Sequence, residues 1–571
     1  MRALSSLSIA ALILGVASLF IEQAEFSAPW LSVFTSFVDY AVLALTLFEV
    51  VVSILRAPVK RIYFRQNWPS LLFVLVFVVL FAYSKSTAAL GRGSSYLTVL
   101  IIRNLFLLLK VFTRLRKLSS FVTSVVTHPA QTITLSFILV IAVGTLVLMM
   151  QFTTVDGNGL PFVDALFTTT SAVCVTGLVV VDTATVFTVW GQVVILLLIQ
   201  IGGLGIMILS FFTIFVFRQS VSVESKLLIS YMLSENNMTT LSSALRRIIL
   251  ITFGIELGGA LLLLPLMNVP GAIGLSIFRA LFHSISAFCN AGFALFSDSL
   301  EGFVGNVGVN LVIGILIIAG GLSFAVISNG VAVVRSRFAA AAARRRTRDD
   351  LSVNTRAVLI VTGILLTAGM LLFYALEHHR SMAATPTGIQ YLAAFFQSIT
   401  LRTAGFNTVP LGGLTTATYL VMMAIMFVGG ASGSTAGGIK VNTVAVIGGY
   451  LRSRRRGRST TVLFNHTVRE DQVAAAFTVL MFGVVAVGIA SVVLSLTESF
   501  SLTQTMFESV SAFATVGLTT GITGSLSIPG RVIIVVLMFI GRVGPLTLFS
   551  AFSARSQRVS VSYPTADISV G

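Results

Sequence analysis

Four short stretches of the sequence combine small and hydroxyl-bearing residues with a glycine that precedes a leucine or a phenylalanine. They read DALFTTTSAVCVTGL, RALFHSISAFCNAGF, AAFFQSITLRTAGF and TMFESVSAFATVGL, and they end at Leu178, Phe293, Phe406 and Leu518. Their glycines, at positions 177, 292, 405 and 517, are 115, 113 and 112 residues apart. A near-constant period indicates a structural unit that is repeated four times.

The chemistry that such stretches offer is cation binding through backbone oxygens. Glycine adopts backbone angles that side chains forbid, and extended residues can turn their carbonyl oxygens inward to replace the hydration shell of a monovalent cation. Four loops around one axis would supply four carbonyls in each layer. The candidate ligands are the backbone oxygens of Val175, Thr176 and Gly177; Asn290, Ala291 and Gly292; Thr403, Ala404 and Gly405; and Thr515, Val516 and Gly517.

The third copy is one residue shorter than the others. A phenylalanine precedes the glycine by ten residues in the first, second and fourth copies, whereas Phe396 precedes Gly405 by nine. One copy alone would indicate a helix that ends at a glycine. Four copies at near-equal spacing favour a pore instead.

The elements that must hold these loops are membrane-spanning helices. The chain has 571 residues, of which 56% are hydrophobic and 10% charged, whereas soluble domains average about 25% charged residues. The net charge of +17 would suggest a nucleic-acid partner in a soluble protein. Here the basic residues gather in a few short loops, which is typical of the cytoplasmic side of a membrane protein. We therefore expect membrane lipids as surroundings and no nucleic acid.

Each repeat contains a first spanning helix, a stretch that dips into the membrane from outside, and a second spanning helix. The sequence thus predicts an all-α membrane protein with four helix–pore loop–helix repeats around a pseudo-fourfold pore, plus extra N-terminal helices. The predicted boundaries are N-terminal transmembrane helices at 1–118, pore repeats at 129–217, 244–334, 356–451 and 473–553, and a C-terminal tail at 554–571. The predicted second helices are Val189–Phe217, Gly308–Val334, Tyr419–Leu451 and Val532–Phe552, and the first pore helix is Pro161–Ala172.

Two features of the second helices interrupt their apolar pattern. The stretch Gly429–Gly438 holds two Gly-Gly doublets and several hydroxyls, so a continuous helix is not expected there. Arg542 lies within an apolar segment, where it costs about 2.5–3.5 kcal/mol unless it faces water or a partner. The repeat aligns Arg542 with Gly430, and we predict that its guanidinium meets the carbonyls and hydroxyls of the glycine-rich stretch. The doublets at Gly202 and Gly320 are equally consistent with helix packing and with hinges.

These motifs resemble the Trk/Ktr/HKT superfamily of potassium transporters from about Pro129 to Phe552. The resemblance is carried by VTGL, CNAGF, RTAGFNT and ATVGLT, by IGGLG at Ile201–Gly205, and by GGASGSTAGGIK at Gly429–Lys440. It implies potassium uptake, because glycine occupies all four filter positions, with Na⁺ or H⁺ as a coupling ion to be considered. It also implies an intramembrane gate formed by Gly433, Ser434, Thr435, Gly437, Gly438, Lys440 and Arg542.

We expect an assembly in the cell (inner) membrane, with a cytoplasmic N-terminus if the basic clusters at 56–65 and 114–117 face the cytoplasm. Each chain would close one pore and pair into a homodimer. Under the same resemblance, a cytosolic RCK-type regulatory ring would bind the nucleotide, and this chain would not.

Three other readings remain beside potassium uptake. A sodium-permeable or non-selective cation channel would use the same repeats. An alternating-access transporter would often show inverted repeats, whereas these four run in parallel. An enzyme would need a convergent set of nucleophilic or acid–base residues, and the sequence has none, so no catalytic residue is expected. For residues 1–118 we expect a helical scaffold rather than a voltage sensor.

Overall fold

A computed structural model of the chain describes residues 129–217, 241–342, 351–545 and 547–548. The predicted N-terminal helices at 1–118 and the predicted tail at 554–571 lie outside the described residues and stay predictions. What is described is almost entirely helical, with one two-stranded ribbon.

The first two repeats follow each other along the chain. The first contains α1 (Pro129–Leu148), α2 (Phe162–Val173) and α3 (Val189–Phe217). The second contains α4 (Leu241–Leu266), α5 (Ile273–Cys289), a 3₁₀ helix (Glu301–Phe303), α6 (Val307–Gly321) and α7 (Phe324–Ala342). The segment Met150–Gly159 belongs to a separate compact unit and contains the 3₁₀ helix Gln151–Thr153.

The third and fourth repeats have the same plan. The third contains α8 (Val353–Glu377), α9 (Thr387–Thr400), α10 (Thr416–Met426) and α11 (Val441–Arg455). An antiparallel ribbon of β1 (Val462–Leu463) and β2 (His466–Thr467) follows α11. The fourth contains α12 (Glu470–Thr497), α13 (Leu502–Ala514), a 3₁₀ helix (Thr523–Ser525) and α14 (Ile528–Val543).

The surface of the spanning helices fits a bilayer. In the described part of the chain, three helices are long and apolar enough to cross a membrane: α4 over Ile248–Leu266, α8 and α12. The pair α6 and α7 makes a fourth candidate, bent by 104°. Large apolar side chains on these helices point outward, including Leu257 and Leu261, which are about three-fifths exposed. Lipid is the solvent that such a surface requires.

The repeats close into a ring through a repeated helix contact. Each second helix packs against the pore helix of the next repeat: α3 on α5, α6 on α9, α10 on α13, and α14 back on α2. Each first helix supports its own pore helix, and the phenylalanine of every copy is fully buried in the resulting core: Phe167, Phe282, Phe396 and Phe507. The return from the fourth repeat to the first gives the predicted pseudo-fourfold arrangement.

All four second helices are broken. The interruption within Tyr419–Leu451 agrees with the sequence prediction, and the breaks in the other three correct the continuous spans predicted there. Gly205 inside α3 has φ 54° and ψ −142°. The predicted helix over 308–334 divides into α6 and α7, and the predicted helix over 532–552 ends at Val543, where Gly544 has φ 85°. The carbonyls that the break after α6 frees, Gly320 O and Gly321 O, accept hydrogen bonds from Thr435 N and Ala431 N. Irregular backbone at membrane depth needs such partners.

The predicted boundaries need smaller corrections. The helices of the second repeat span 241–342 apart from their connections, rather than 244–334. The first pore helix begins at Phe162 with Pro161 as its N-cap and ends at Val173, one residue later than predicted. Shifts of this size are ordinary at helix ends, where the hydrogen bonding changes gradually.

Candidate functional site

The four loops that follow the pore helices turn through the same backbone conformation. The residue two positions before each glycine is left-handed, with φ 57° at Val175, 61° at Asn290, 64° at Thr403 and 52° at Thr515. The glycines themselves have φ between 70° and 91°. A left-handed non-glycine residue costs about 1–2 kcal/mol. Its recurrence at the same place in all four loops indicates one backbone shape imposed by the surrounding packing.

A hydrogen bond from each loop back to its pore helix fixes this shape. In three repeats the N–H before the glycine donates to a serine carbonyl five residues earlier: Thr176 to Ser171 at 2.8 Å, Ala291 to Ser286 at 2.7 Å and Val516 to Ser511 at 2.8 Å. In the third repeat Ala404 N donates to Thr400 O, four residues earlier, at 3.0 Å. This hydrogen bond spans four residues instead of five and so accommodates the one-residue deletion that the spacing of Phe396 predicts.

Serine hydroxyls add to this support from behind the loops. Ser171 Oγ accepts a hydrogen bond from Gly177 N at 3.0 Å, and Ser511 Oγ accepts one from Gly517 N at 3.1 Å. Ser286 Oγ instead donates to Phe293 O at 2.7 Å. The hydroxyl-rich composition of the repeated stretches therefore holds the loop backbone in place.

The four glycines meet in a closed ring. A methyl group added to each glycine would collide with the carbonyl oxygen that precedes the glycine of the next repeat. The added carbon would lie 2.5 Å from Ala291 O at Gly177, 2.8 Å from Ala404 O at Gly292 and 2.6 Å from Val516 O at Gly405. At Gly517 it would fall on Thr176 O. The last contact returns to the first loop. A side chain at any of these glycines would therefore displace a candidate ligand of the neighbouring loop.

The candidate ligand oxygens are free to bind. Among the described residues, no protein group donates a hydrogen bond to any of the twelve carbonyls of the four loops. The loop residues are almost fully buried, with Thr176, Ala291, Ala404 and Val516 at 0% exposure. A buried carbonyl without a partner is costly, and a bound cation or water would remove that cost.

Polar side chains outside the four pore loops also link neighbouring repeats. Ser297 Oγ donates to Asp182 at 2.5 Å, Asn407 Nδ2 donates to Glu301 at 2.6 Å, and Arg531 forms an ion pair with Asp164. Burial raises the pKa of Glu301, and the carboxylate of Asp298 adds to the rise, while the Asn407 bond opposes it. Sequence reasoning did not select these links, because each one uses different residue types and leaves no repeated signal.

The glycine-rich stretch forms a closed loop, which we call the gate loop (residues 429–440). Two backbone bonds close its base, from Gly429 N to Ile439 O at 2.8 Å and from Val441 N to Gly430 O at 3.0 Å. Gly433 and Gly438 have φ of 77° and 66°, which a side chain would oppose. The stretch is therefore irregular, as its composition predicts.

The gate loop packs directly against the starts of two of the pore loops. A methyl group on Gly437 would fall on Thr515 Oγ1, and one on Gly438 would lie 3.1 Å from Ala514 Cα. Thr435 Oγ1 donates to Phe288 O at 3.3 Å. These contacts join the gate loop to the carboxyl ends of the pore helices α5 and α13, next to the glycine ring.

Arg542 bridges the gate loop to the first repeat. Its Nη1 donates to Thr435 O and its Nη2 donates to Gly202 O in α3. The hydroxyl of Ser434 is not used by Arg542, since it donates to Ala431 O at 2.7 Å. Lys440 also turns inward and donates to Ala436 O at 2.6 Å. The structure thus brings Arg542 to the predicted loop, but through backbone carbonyls alone.

Glycines in the second helices allow close contact with the pore helices. A methyl group on Gly202 would fall on Val173 O, one on Gly320 on Phe288 O, and one on Gly541 on Phe513 O. Each of these carbonyls lies four residues before a ring glycine. Both readings of the doublets therefore hold in part: Gly202 and Gly320 are packing contacts, and breaks follow them at Gly205 and after Gly321.

We expect Gly320→Ala to destabilise the protein in detergent. The added methyl cannot avoid Phe288 O, which is backbone, and forced overpacking costs about 1–3 kcal/mol. The midpoint of thermal unfolding should fall by several degrees. Gly488→Ala is the matched control, because this exposed helical glycine has open space around its Cα. Equal midpoints for the two variants would contradict the packing assignment.

The ring of pore loops, the broken second helices and the apolar outer surface are typical of a multi-pass membrane transport protein. The chain belongs to the TrkH family of cation transport proteins, whose family model matches residues 99–562. The predicted resemblance is thereby confirmed, and so is the predicted fold class over the described residues.

Similar proteins fall in the same group. The chain is 40% identical over 416 residues to Ktr system potassium uptake protein B of Vibrio alginolyticus, covering 72% of this chain and 89% of the relative. It is 36% identical over 450 residues to the protein of the same name from Bacillus subtilis (strain 168), covering 78% and 97%. It is 33% identical over 447 residues to potassium/sodium uptake protein NtpJ of Enterococcus hirae, covering 77% and 96%.

A solved structure has the same fold. The crystal structure of the potassium transporter TrkH from Vibrio parahaemolyticus matches with a TM-score of 0.58 at 18% identity, covering 85% of this chain and 97% of that one.

Proposed function

We propose that this protein takes up potassium through the ring of four pore loops. The observation that carries the proposal is the closed ring itself, in which the carbonyl before each glycine packs against the glycine of the preceding repeat. The ring leaves four equivalent oxygens, one from each repeat, without a protein donor among the described residues. Rings of backbone carbonyls are the means by which proteins replace the hydration shell of K⁺.

The gate loop and Arg542 are proposed as the gate of this path. The loop packs against the carboxyl ends of α5 and α13, next to the ring, and a guanidinium held there by Thr435 O and Gly202 O opposes the passage of a cation. The names of the two Ktr relatives support a membrane subunit that works within a larger system. We extend the proposal, as the resemblance noted in the sequence implies, to a homodimer with a cytosolic RCK-type regulatory ring that binds the nucleotide.

The proposal is tested by ion flux into vesicles that contain the purified protein. Uptake of K⁺ should exceed uptake of Na⁺ at equal gradients, and an imposed K⁺ diffusion potential should drive it without another ion. Equal uptake of Na⁺ would instead favour the sodium-permeable alternative, to which the name of the Enterococcus hirae relative points. Uptake that requires a Na⁺ or H⁺ gradient would assign a coupling ion. No cation uptake at all, at verified incorporation, would contradict the proposal.

A further inference from the structure

The four repeats differ at one buried polar position behind the filter. The residue that follows the pore-helix phenylalanine is Thr168 in the first repeat, His283 in the second, Gln397 in the third and Glu508 in the fourth. All four are at most 1% exposed. A buried polar side chain is costly unless it has a hydrogen-bond partner, so the partners indicate what each residue does.

In the second and fourth repeats this residue accepts a hydrogen bond from the equivalent backbone N–H group. Nε2 of His283 accepts a hydrogen bond from Leu295 N at 3.2 Å, and Oε1 of Glu508 accepts one from Thr520 N at 3.2 Å. Leu295 and Thr520 each lie three residues after the ring glycine of their repeat. Two unlike side chains therefore bind the loop at an equivalent position in the residues that follow the ring glycine, which we call the outer limb of the loop.

The ring of His283 is held in one tautomer by its partners. A backbone N–H can only donate, so Nε2 must accept from Leu295, and the proton lies on Nδ1, which donates to Arg279 O at 2.7 Å. Stacking on Phe296, with the ring centroids 5.0 Å apart, fixes the plane of the imidazole. The acceptor is thus aimed at the loop by two further contacts.

Glu508 anchors its loop through three residues. Besides Thr520 N, its carboxyl accepts from the hydroxyls of Thr519 and Thr523, the latter at 3.0 Å. The equivalent side chains of the other two repeats make no such bond. Thr168 Oγ1 and both amide atoms of Gln397 have no hydrogen-bond partner among the described residues.

We infer that His283 and Glu508 are positioning residues that hold the outer limbs of the second and fourth filter loops and thereby set ion selectivity. The loops follow each other in chain order around the ring, so the two anchored loops face each other across the pore and the two unanchored loops lie between them. Discrimination between K⁺ and Na⁺ depends on where the ring oxygens are held. The inference rests on the proposed potassium pathway.

The test compares two substitutions of His283 that differ in which ring nitrogen they imitate. His283→Gln keeps an acceptor near the place of Nε2, whereas His283→Asn keeps a polar group near the place of Nδ1 and cannot reach Leu295. We expect the ratio of K⁺ to Na⁺ flux in vesicles to stay near the wild-type ratio for His283→Gln. For His283→Asn it should fall about fivefold, which corresponds to about 1 kcal/mol.

Glu508 and Gln397 supply the matched comparison. Glu508→Gln keeps an acceptor for Thr520 and should retain selectivity, while Glu508→Leu should lose it to a similar extent as His283→Asn. Gln397→Leu changes the equivalent position of the third repeat without removing a hydrogen bond, so its flux ratio should not change. A flux ratio is unaffected by the amount of folded protein, which separates positioning from simple destabilisation.

Three results would overturn the inference. His283→Asn and Glu508→Leu with the wild-type ratio would show that the outer limbs need no anchor. An equal loss of selectivity in Gln397→Leu would show a general effect of pore-helix packing. A wild-type protein that does not discriminate K⁺ from Na⁺ would overturn the proposed function and this inference together, so the two failures are distinguishable.

Discussion

Arg542→Ala should raise the K⁺ flux into vesicles about tenfold when no cytosolic partner is present. The substitution removes two hydrogen bonds from a charged donor, to Thr435 O and Gly202 O. Such bonds contribute about 1.5–3 kcal/mol each. If only about 1.4 kcal/mol of this favours the closed path, its loss shifts the equilibrium about tenfold toward the open path. Removing the positive charge also removes a repulsion that a permeating cation would meet.

Selectivity should survive in Arg542→Ala, because the ring carbonyls keep their contacts. Deletion of Gly433–Gly438 should raise the flux in the same way, and Arg542→Lys should give an intermediate flux, since an ammonium is a point charge that cannot imitate the guanidinium fork. Arg452→Ala is the charge-matched control, because Arg452 is exposed and lies about three helical turns along α11 from Val441, whose N–H closes the base of the gate loop. A flux no higher than wild type at equal incorporation would leave Arg542 as a structural residue.

Most of the fold could be predicted from the sequence because it repeats. The spacing of the four glycines predicts four units, and the apolar runs around them predict the spanning helices. Even the deletion before Gly405 is visible in the sequence, and the structure accommodates it by returning Ala404 N to Thr400 O. These features can be found by comparing residue types and spacing from one repeat to the next.

The sequence predicts the interruption at Gly429–Gly438 and leaves hinges at Gly202 and Gly320 as one of two alternatives, but the contacts that stabilise a break could not be predicted, because the partners are distant in sequence. The segments on both sides of Leu322 and Ser323 are apolar, yet α6 bends into α7 there. The bend is stable because Thr435 and Ala431, more than a hundred residues later, donate to the freed carbonyls of Gly320 and Gly321. Neither hydropathy nor helix propensity contains that information.

The partners of Arg542 illustrate the same limit. The repeat alignment with Gly430 correctly directs attention to the gate loop. The second acceptor, Gly202 O, belongs to another repeat and is a backbone atom, which no residue type identifies. His283 and Glu508 were likewise missed as a pair, because they share an acceptor function and not a residue type.

Gly177→Ser should lower the ratio of K⁺ to Na⁺ flux about tenfold, which corresponds to a loss of discrimination of ~1–2 kcal/mol. Gly177 has φ 91°, where a side chain is strained, and a Cβ there would lie 2.5 Å from Ala291 O and 3.1 Å from Gly292 Cα. Those atoms are backbone and cannot rotate away. The serine therefore moves a candidate ligand of the second loop, and an altered carbonyl position weakens the selection of K⁺.

Gly271→Ser separates this effect from backbone strain alone. Gly271 has φ 80°, close to that of Gly177, but it is exposed and a Cβ there would meet no atom within 4 Å. The control should thus lose some stability to the same unfavourable φ while keeping the wild-type flux ratio. If Gly177→Ser keeps that ratio at normal incorporation, Gly177 and Ala291 do not line the filter. If Gly271→Ser loses selectivity as well, the effect arises from strain in the fold, and the contact between the first and second loops does not determine which ion passes.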